Sequence, residues 1–225
     1  VPARWRCSRH FRLDHRAPEA VMSAWWFIGG VGLGTLVGVS VMAARRRIPG
    51  VADFLGPPLA DGEIVLEGDV SEYAAAVILS DLHRWRGREV RLSLTTPGGC
   101  ATSAALIARA VRDHGKVRCE VPSFAMSAGT LVALSARELA LGESAALSPV
   151  DPISREGERV TNGSQDPELN AFEGRIRGML AEILEGRVAD LPRALATFMG
   201  EGRPHGWPLW RSDLRDLGLR LEDAR

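Results

Sequence analysis

The sequence has no excess of charge of either sign and very little lysine. Lysine and arginine together number 28, as do aspartate and glutamate, so the formal net charge is zero. Nucleic acids attract proteins largely through clustered positive charge, and the balance therefore gives no support for a nucleic-acid partner. Only one basic residue is a lysine, Lys116. Any chemistry that needs a lysine side chain must use that residue.

Cysteine is also scarce. Cys7, Cys100 and Cys119 form no CxxC pair and are not accompanied by clustered histidines. This pattern predicts neither a metal site nor a disulfide framework, and we expect no cofactor. An odd and sparse cysteine count suits a reducing compartment. We interpret Cys100, which follows a glycine pair, as a small buried residue rather than a reactive thiol.

One long segment lacks charge altogether. Residues 24–44 contain no charged side chain and are long enough to cross a bilayer as one helix. Trp25 and Trp26 lie at one end and three arginines, Arg45 to Arg47, follow the other, as is typical of membrane interfaces. Within the segment Gly30, Gly34 and Gly38 recur every four positions, a spacing that permits close helix packing in lipid. We therefore predict a transmembrane anchor over residues 22–44.

A cleaved signal peptide and a buried helix of a soluble domain are the two alternatives to the anchor. A cleaved signal peptide has a shorter apolar region and a small-residue cleavage site, whereas here a basic triplet follows the apolar stretch. A buried helix of a soluble domain is disfavoured by the five glycines in the segment. A transmembrane anchor explains the basic triplet and the five glycines better than either alternative does.

The flanking segments divide the rest of the chain. Residues 1–21 form an arginine-rich tail, and Met22 is an alternative start, in which case the tail is not translated. With a start at Met22, the arginine triplet favours a single-pass membrane protein in which the bulk of the chain, including the domain after the linker, is cytoplasmic. Residues 45–62 are rich in proline and glycine and are interpreted as a linker. The folded domain is expected over residues 63–225.

This domain shows alternating strand and helix patterns, which predict parallel strands with helical crossovers and hence an α/β fold. We predict strands at 63–70, 89–95, 117–123 and 138–141, and helices at 72–85, 102–114, 127–136 and 211–217. The region 168–203 is predicted to be mostly helical, with a break at Pro192.

Ser127 is placed where a strand ends and a helix begins, in the sequence Ala-Met-Ser-Ala-Gly-Thr. At a helix N-terminus, free backbone N–H groups stabilise developing negative charge, and the small Ala128 and Gly129 leave room for a substrate. Ser127 is therefore a candidate nucleophile. The ordinary alternative is a serine that caps the helix, which is the more common situation for such a residue taken alone.

A Pro-Gly-Gly sequence ends the preceding predicted strand. Gly98 and Gly99 would lie at the carboxyl edge of the sheet, where sites of α/β proteins form, and their N–H groups are candidate oxyanion donors together with that of Ala128. Taken alone, such a sequence is more often a simple turn.

Three blocks together resemble a known family. Thr-Thr-Pro-Gly-Gly at 95–99, Ala-Met-Ser-Ala-Gly-Thr at 125–130 and Leu-Ser-Pro-Val-Asp-Pro at 147–152 are similar in order and spacing to the serine dehydrogenase proteinases, membrane relatives of ClpP and signal peptide peptidase A. Residues 203–209 and a following Leu-Gly-Leu resemble the family's last block. The resemblance implies a Clp/crotonase-type domain of repeated ββα and βαβ units with a mostly parallel sheet.

The resemblance also implies a Ser–Asp–His triad of Ser127, Asp151 and His205. A neutral imidazole activates a serine hydroxyl, and a carboxylate fixes the tautomer of that imidazole. A Ser–Lys dyad, used by some relatives, is disfavoured because Lys116 precedes the strand leading to Ser127 and is expected roughly 25 Å away. The chain departs from the family pattern at Thr96, where the family usually has His, and at Ser148, where it usually has Gly.

The implied activity is that of a membrane-anchored serine endopeptidase that acts on peptides or membrane proteins through an acyl-enzyme. The resemblance further implies a homo-oligomer. Two alternatives stay open at this point. One is a non-catalytic oligomeric scaffold at the membrane, and the other is a crotonase-like acyl-CoA enzyme, which would not need Ser127.

Overall fold

The computed structural model describes residues 6–7, 62–152 and 167–224. The predicted anchor lies outside these residues. The predicted tail also lies outside them, except for residues 6–7, and so does the predicted linker, except for residue 62. Among the helices that are described, none combines the length and apolar character needed to cross a bilayer.

The described chain forms an α/β fold. The strands are β1 (Arg6–Cys7), β2 (Glu63–Glu67), β3 (Val90–Thr95), β4 (Val117–Val121), β5 (Phe124–Ala125), β6 (Glu138–Leu141), β7 (Ala146–Leu147), β8 (Leu209–Trp210) and β9 (Glu222–Asp223). The helices are α1 (Glu72–Arg84), α2 (Ala101–His114), α3 (Ala128–Ser135), α4 (Pro167–Leu184), α5 (Leu191–Phe198) and α6 (Arg211–Asp216).

The main sheet is mostly parallel, as the alternating pattern predicts. Its strand order is β1-β2-β3-β4-β6-β9, and every neighbouring pair is parallel except β1 and β2. The crossovers α1 and α2 connect β2 to β3 and β3 to β4. Strand β3 illustrates why the sequence pattern predicts a strand. Its residues Val90, Leu92 and Leu94 are buried and alternate with more exposed residues.

A second, three-stranded sheet was not predicted. It has the order β5-β7-β8, with β5 parallel to β7 and β7 antiparallel to β8. Each strand is only two residues long, too short to show a periodic pattern in the sequence. The small sheet matters because β5 leads directly to Ser127 and β7 leads directly to Ser148.

Helix α3 lies in the centre of the domain. All eight of its residues are buried, and it belongs to the same apolar core as the inward faces of the main sheet and of α1 and α2. A helix that is apolar on every side is stable only when it is surrounded by protein. The helix that begins at Ser127 is therefore held rigidly by the core.

The predicted break at Pro192 is wrong in position. The break between the two helices lies at residues 185–190, and Pro192 lies in the first turn of α5. Proline is well tolerated there because the first N–H groups of a helix have no partner within the helix. The N-cap of α5 is Asp190, whose side chain accepts from Arg193 N at 3.0 Å.

Candidate active site

Ser127 has an unusual backbone conformation. Its φ is +49° and its ψ is −117°, and it is the one non-glycine residue with positive φ in the described part of the chain. Such a conformation costs of order 1–3 kcal/mol and persists only where the surrounding structure enforces it. The Ser127 side chain makes no cap hydrogen bond to α3. The alternative of an ordinary capping serine is therefore not supported.

Gly98 packs directly against this residue. Its φ is +110°, and a Cβ placed on it would come 2.9 Å from Ser127 Cβ and 3.0 Å from Met126 O. A side chain at position 98 would displace the serine. The glycine is thus required both by its backbone conformation and by the close approach of Ser127.

Gly99 is fixed by a different neighbour. A Cβ on Gly99 would lie 2.6 Å from Val70 O. Val70 N donates to Gly98 O at 2.7 Å and Cys100 N donates to Val70 O at 2.8 Å, so the glycine pair is tied to the segment between β2 and α1. This tie holds the loop at the carboxyl end of β3 beside the start of α3.

The three predicted oxyanion donors are not equivalent. Gly98 N donates to Thr96 Oγ1 at 3.1 Å, so this N–H is already used. Within the described residues, the N–H groups of Gly99 and Ala128 donate to no acceptor of the protein. Ala128 is the first residue of α3, where the positive end of the helix dipole adds to the stabilisation of an anion. The geometry leaves Gly99 and Ala128 as the available pair.

Asp151 and His205 are brought together from distant parts of the sequence. His205 Nδ1 lies 3.0 Å from Asp151 Oδ1. Asp151 is almost fully buried and follows β7, whereas His205 is partly buried in the loop between α5 and β8. When Nδ1–H donates to the carboxylate, the lone pair of a neutral imidazole is left on Nε2. That atom is then available as a base.

Ser127 and Asp151 line the same cavity, whose volume is about 200 Å³. Gly99 and Ala128 also line it, as do the apolar side chains of Leu131, Val150, Phe172 and Ile176. Among the described residues, Ser127 Oγ makes no hydrogen bond to His205. The structure thus joins His205 to Asp151 directly, and Asp151 shares the cavity with Ser127.

Lys116 is held far from this site. Its Nζ donates to Gly87 O at 2.9 Å, next to the amino end of β3, whereas Ser127 lies beyond the carboxyl end of β4. Lys116 thus lies at the amino end of β4, at the other end of that strand from Ser127. A larger cavity of about 620 Å³, lined in part by Arg112, Arg137 and Arg187, contains none of the predicted site residues.

Two features of the site were missed in the sequence. Cys100 is exposed rather than buried, and hydrogen bonds from the Ser103 side chain and backbone lower the pKa of its thiol. Ser148, noted only as a departure from the family pattern, accepts a hydrogen bond from Ser127 N at 2.7 Å. The motif spacing gave no signal for that contact, because 21 residues separate the two serines.

Comparisons with known proteins agree with this fold. Residues 78–157 match the family model of ClpP-like SDH-type serine proteinases. This segment contains Gly98, Ser127 and Asp151, and His205 lies outside it.

Two uncharacterized proteins of Methanocaldococcus jannaschii are similar in sequence. One is 26% identical over 156 residues, covering 61% of this chain and 54% of the relative. The other is 28% identical over 203 residues, covering 82% of this chain and 67% of that relative. The chain thus spans about half the length of the first relative and two thirds of the second.

Solved structures show the same fold. ClpP1 from Listeria monocytogenes aligns with a TM-score of 0.56 and 14% identity over 73% of this chain and 93% of that protein. A point mutant of the same ClpP1 aligns with a TM-score of 0.58 and 13% identity, over 73% of this chain and 92% of the mutant protein. The match over residues 78–157 and the ClpP-like fold together support a relationship of this chain to the ClpP-like SDH-type serine proteinases.

Proposed function

We propose that this chain is a membrane-anchored serine endopeptidase that cleaves peptide bonds through an acyl-enzyme formed on Ser127. The observation that carries the proposal is the conformation of Ser127. The residue is held at positive φ, its side chain caps nothing, and it lies beside two available N–H groups in a cavity shared with Asp151. Strained backbone of this kind is a common property of active sites.

The reaction follows from these positions. Ser127 Oγ attacks the carbonyl carbon of the scissile bond while its proton passes to His205 Nε2, and the N–H groups of Gly99 and Ala128 stabilise the resulting oxyanion. The C–N bond then breaks as the imidazolium returns the proton to the leaving amine. Water, activated by the same imidazole, hydrolyses the acyl-enzyme and regenerates Ser127.

Asp151 supports this cycle through its bond to His205. The carboxylate holds Nδ1–H at 3.0 Å, which keeps Nε2 as the basic nitrogen, and it stabilises the imidazolium that forms. The lack of a hydrogen bond between Ser127 Oγ and His205 among the described residues is compatible with catalysis, because catalytic hydrogen bonds often form fully only when substrate binds.

The substrate class follows from the cavity. The available volume of about 200 Å³ and the apolar wall of Leu131, Val150 and Phe172 suit an apolar side chain next to the scissile bond. No group of three or more His, Cys, Asp or Glu side chains in the described ranges could hold a metal ion, and the proposed steps use none.

The membrane and oligomer parts of the proposal rest on other grounds. The uncharged segment 24–44 supports a single-pass anchor, and the arginine triplet after it supports a cytoplasmic peptidase domain. ClpP-like folds are generally oligomeric, which supports a homo-oligomer.

The lack of a hydrogen bond between Ser127 Oγ and His205 among the described residues favours one alternative, a non-catalytic scaffold of the same fold. A fluorophosphonate probe distinguishes the two, because it phosphonylates an activated serine and releases fluoride. We expect labelling of the detergent-solubilised chain, no labelling of Ser127→Ala, and a labelling rate reduced about 10³–10⁴-fold in Asp151→Asn, since the asparagine stabilises the wrong imidazole tautomer.

The control for this experiment is Glu182→Gln, which changes a carboxylate that pairs with Arg112 and does not line the cavity. It should leave the labelling rate unchanged. A wild-type chain that remains unlabelled while folded would support the scaffold, and labelling that persists in Ser127→Ala would refute the assigned nucleophile.

A further inference from the structure

The backbone N–H of Ser127 has an acceptor from a different part of the sequence. It donates to Ser148 Oγ at 2.7 Å, and Ser148 is completely buried just after β7. This is a side-chain contact to the peptide group that immediately precedes the Ser127 Cα. Its direction therefore limits how the 126–127 peptide can rotate.

The Ser148 hydroxyl is oriented by a second contact. Ser148 Oγ donates to Pro149 O at 3.0 Å. A hydroxyl has one proton and two acceptor lone pairs. Because the proton is engaged by Pro149, the group acts toward Ser127 only as an acceptor.

Ser148 is itself tied to the helix that follows Ser127. Its backbone N donates to Thr130 Oγ1 at 3.1 Å, and Thr130 Oγ1 donates to Ala125 O at 2.7 Å. Thr130 and Ala125 are both fully buried. These bonds link β5, the start of α3 and the end of β7 across the residues that flank Ser127, without contact to solvent.

We propose that Ser148 is a positioning residue that holds Ser127 in its positive-φ conformation and thereby aims Ser127 Oγ and the Ala128 N–H into the cavity. The inference rests on the proposed function for its catalytic consequence. Its structural part, the restraint on the Ser127 peptide, does not depend on activity. A buried N–H that loses its acceptor is costly, so the conformation would relax if the hydroxyl were removed.

The test compares Ser148→Ala with Ser135→Ala in the full chain. Ser135 is a matched control, because it is also buried and its hydroxyl donates to Val132 O at 2.6 Å within α3, at the end of the helix away from Ser127. Two quantities are measured in each variant: hydrogen exchange of the Ser127 amide, resolved from that of the other α3 amides, and the kinetics of fluorophosphonate labelling.

In Ser148→Ala we expect exchange of the Ser127 amide to accelerate at least about tenfold, with the amides of residues 131–135 unchanged. The maximal labelling rate should fall at least about tenfold, with the half-saturating probe concentration changed less than about twofold, because orientation and not binding is lost. Ser135→Ala should change neither quantity at the Ser127 turn.

Several results would overturn the inference. Exchange of the Ser127 amide that stays as slow in Ser148→Ala as in the wild type would show that another restraint holds the residue. Equal acceleration along all of α3 would show a loss of packing instead of positioning. If the wild type is not labelled but the Ser127 amide responds as expected, the proposed peptidase function fails and the positioning role of Ser148 stands.

Discussion

Gly129 lies where the chain has no room for a side chain. A Cβ at this position would come 2.3 Å from Thr96 Cγ2, and Thr96 is fully buried while its Oγ1 accepts from Gly98 N. Rotation of Thr96 to relieve the clash would break that hydrogen bond. Gly129 therefore allows α3 to pack against the loop that contains Thr96, Gly98 and Gly99.

This close approach gives a stability prediction. Gly129→Ala should lower the free energy of unfolding by about 1–3 kcal/mol, because the added methyl overpacks a rigid core. Gly178→Ala is the matched control, since Gly178 lies on the exposed side of α4 with no atom within 4 Å of an added Cβ. This variant should be as stable as the wild type or more stable by up to about 1 kcal/mol. Urea unfolding followed by tryptophan fluorescence measures both. Equal stability of the two variants would contradict the argument.

The thiols of Cys100 and Cys119 differ in a way that is measurable. Burial, and secondarily the negative charge of Glu120, raises the pKa of the Cys119 thiol, whereas hydrogen bonds from Ser103 lower the pKa of the exposed Cys100. A lowered pKa means a larger thiolate fraction at a given pH, and the thiolate is the reactive form.

We therefore expect iodoacetamide at neutral pH to alkylate Cys100 in the native protein and to spare Cys119 until the protein is unfolded. Peptide mapping by mass spectrometry separates the two sites. Ser103→Ala should slow alkylation of Cys100 at neutral pH, because the thiolate loses its leading hydrogen bond. Alkylation of Cys119 in the folded chain at the same rate as Cys100 would contradict the burial argument.

At the scale of elements, α1 holds the loop that contains the glycine pair. The N-cap of α1 is Ser71, whose side chain accepts from Ala74 N at 3.1 Å. Its neighbour Val70 is bonded on both sides to the segment Gly98 to Cys100. The start of α1 and the glycine-pair loop at the end of β3 are thus fixed to each other.

Removal of this cap gives the prediction at this scale. Ser71→Ala should reduce the free energy of unfolding by about 1 kcal/mol, because the Ala74 N–H loses its acceptor. Ser71→Asp should not reduce it, because aspartate retains an acceptor and places a negative charge at the helix N-terminus. Urea denaturation of the three proteins measures the difference. An alanine variant as stable as the wild type would show that water replaces the cap without cost.

At the scale of the whole molecule, the proposed anchor determines where the protein is found. We expect the full chain expressed in cells to sediment with membranes and to be released by detergent but not by alkaline carbonate, since an apolar segment of about 20 residues inserts stably. A variant lacking residues 24–44 should remain in the supernatant. A full chain found in the soluble fraction would contradict the anchor.

Much of the fold was determined locally by the sequence. The alternation of apolar and polar residues in β3 and the helical periodicity of α1 and α2 predicted parallel strands with helical crossovers, because residues on one face of an element are buried together. The predicted α/β fold with a mostly parallel sheet is confirmed. The two-residue strands of the small sheet were not predictable, since their pairing depends on contacts between segments up to 64 residues apart, as in Ala146 with Trp210.

The sequence by itself determined the candidate Ser127, its helix start and the neighbouring glycines, because these depend on residues adjacent along the chain. Only the tertiary structure showed that Gly98 N–H is occupied by Thr96, that Ser148 accepts from Ser127 N, and that Asp151 contacts His205 across 54 positions. Hydrogen bonds of this kind depend on distances and directions between remote segments, which packing of the core sets and local pattern does not encode.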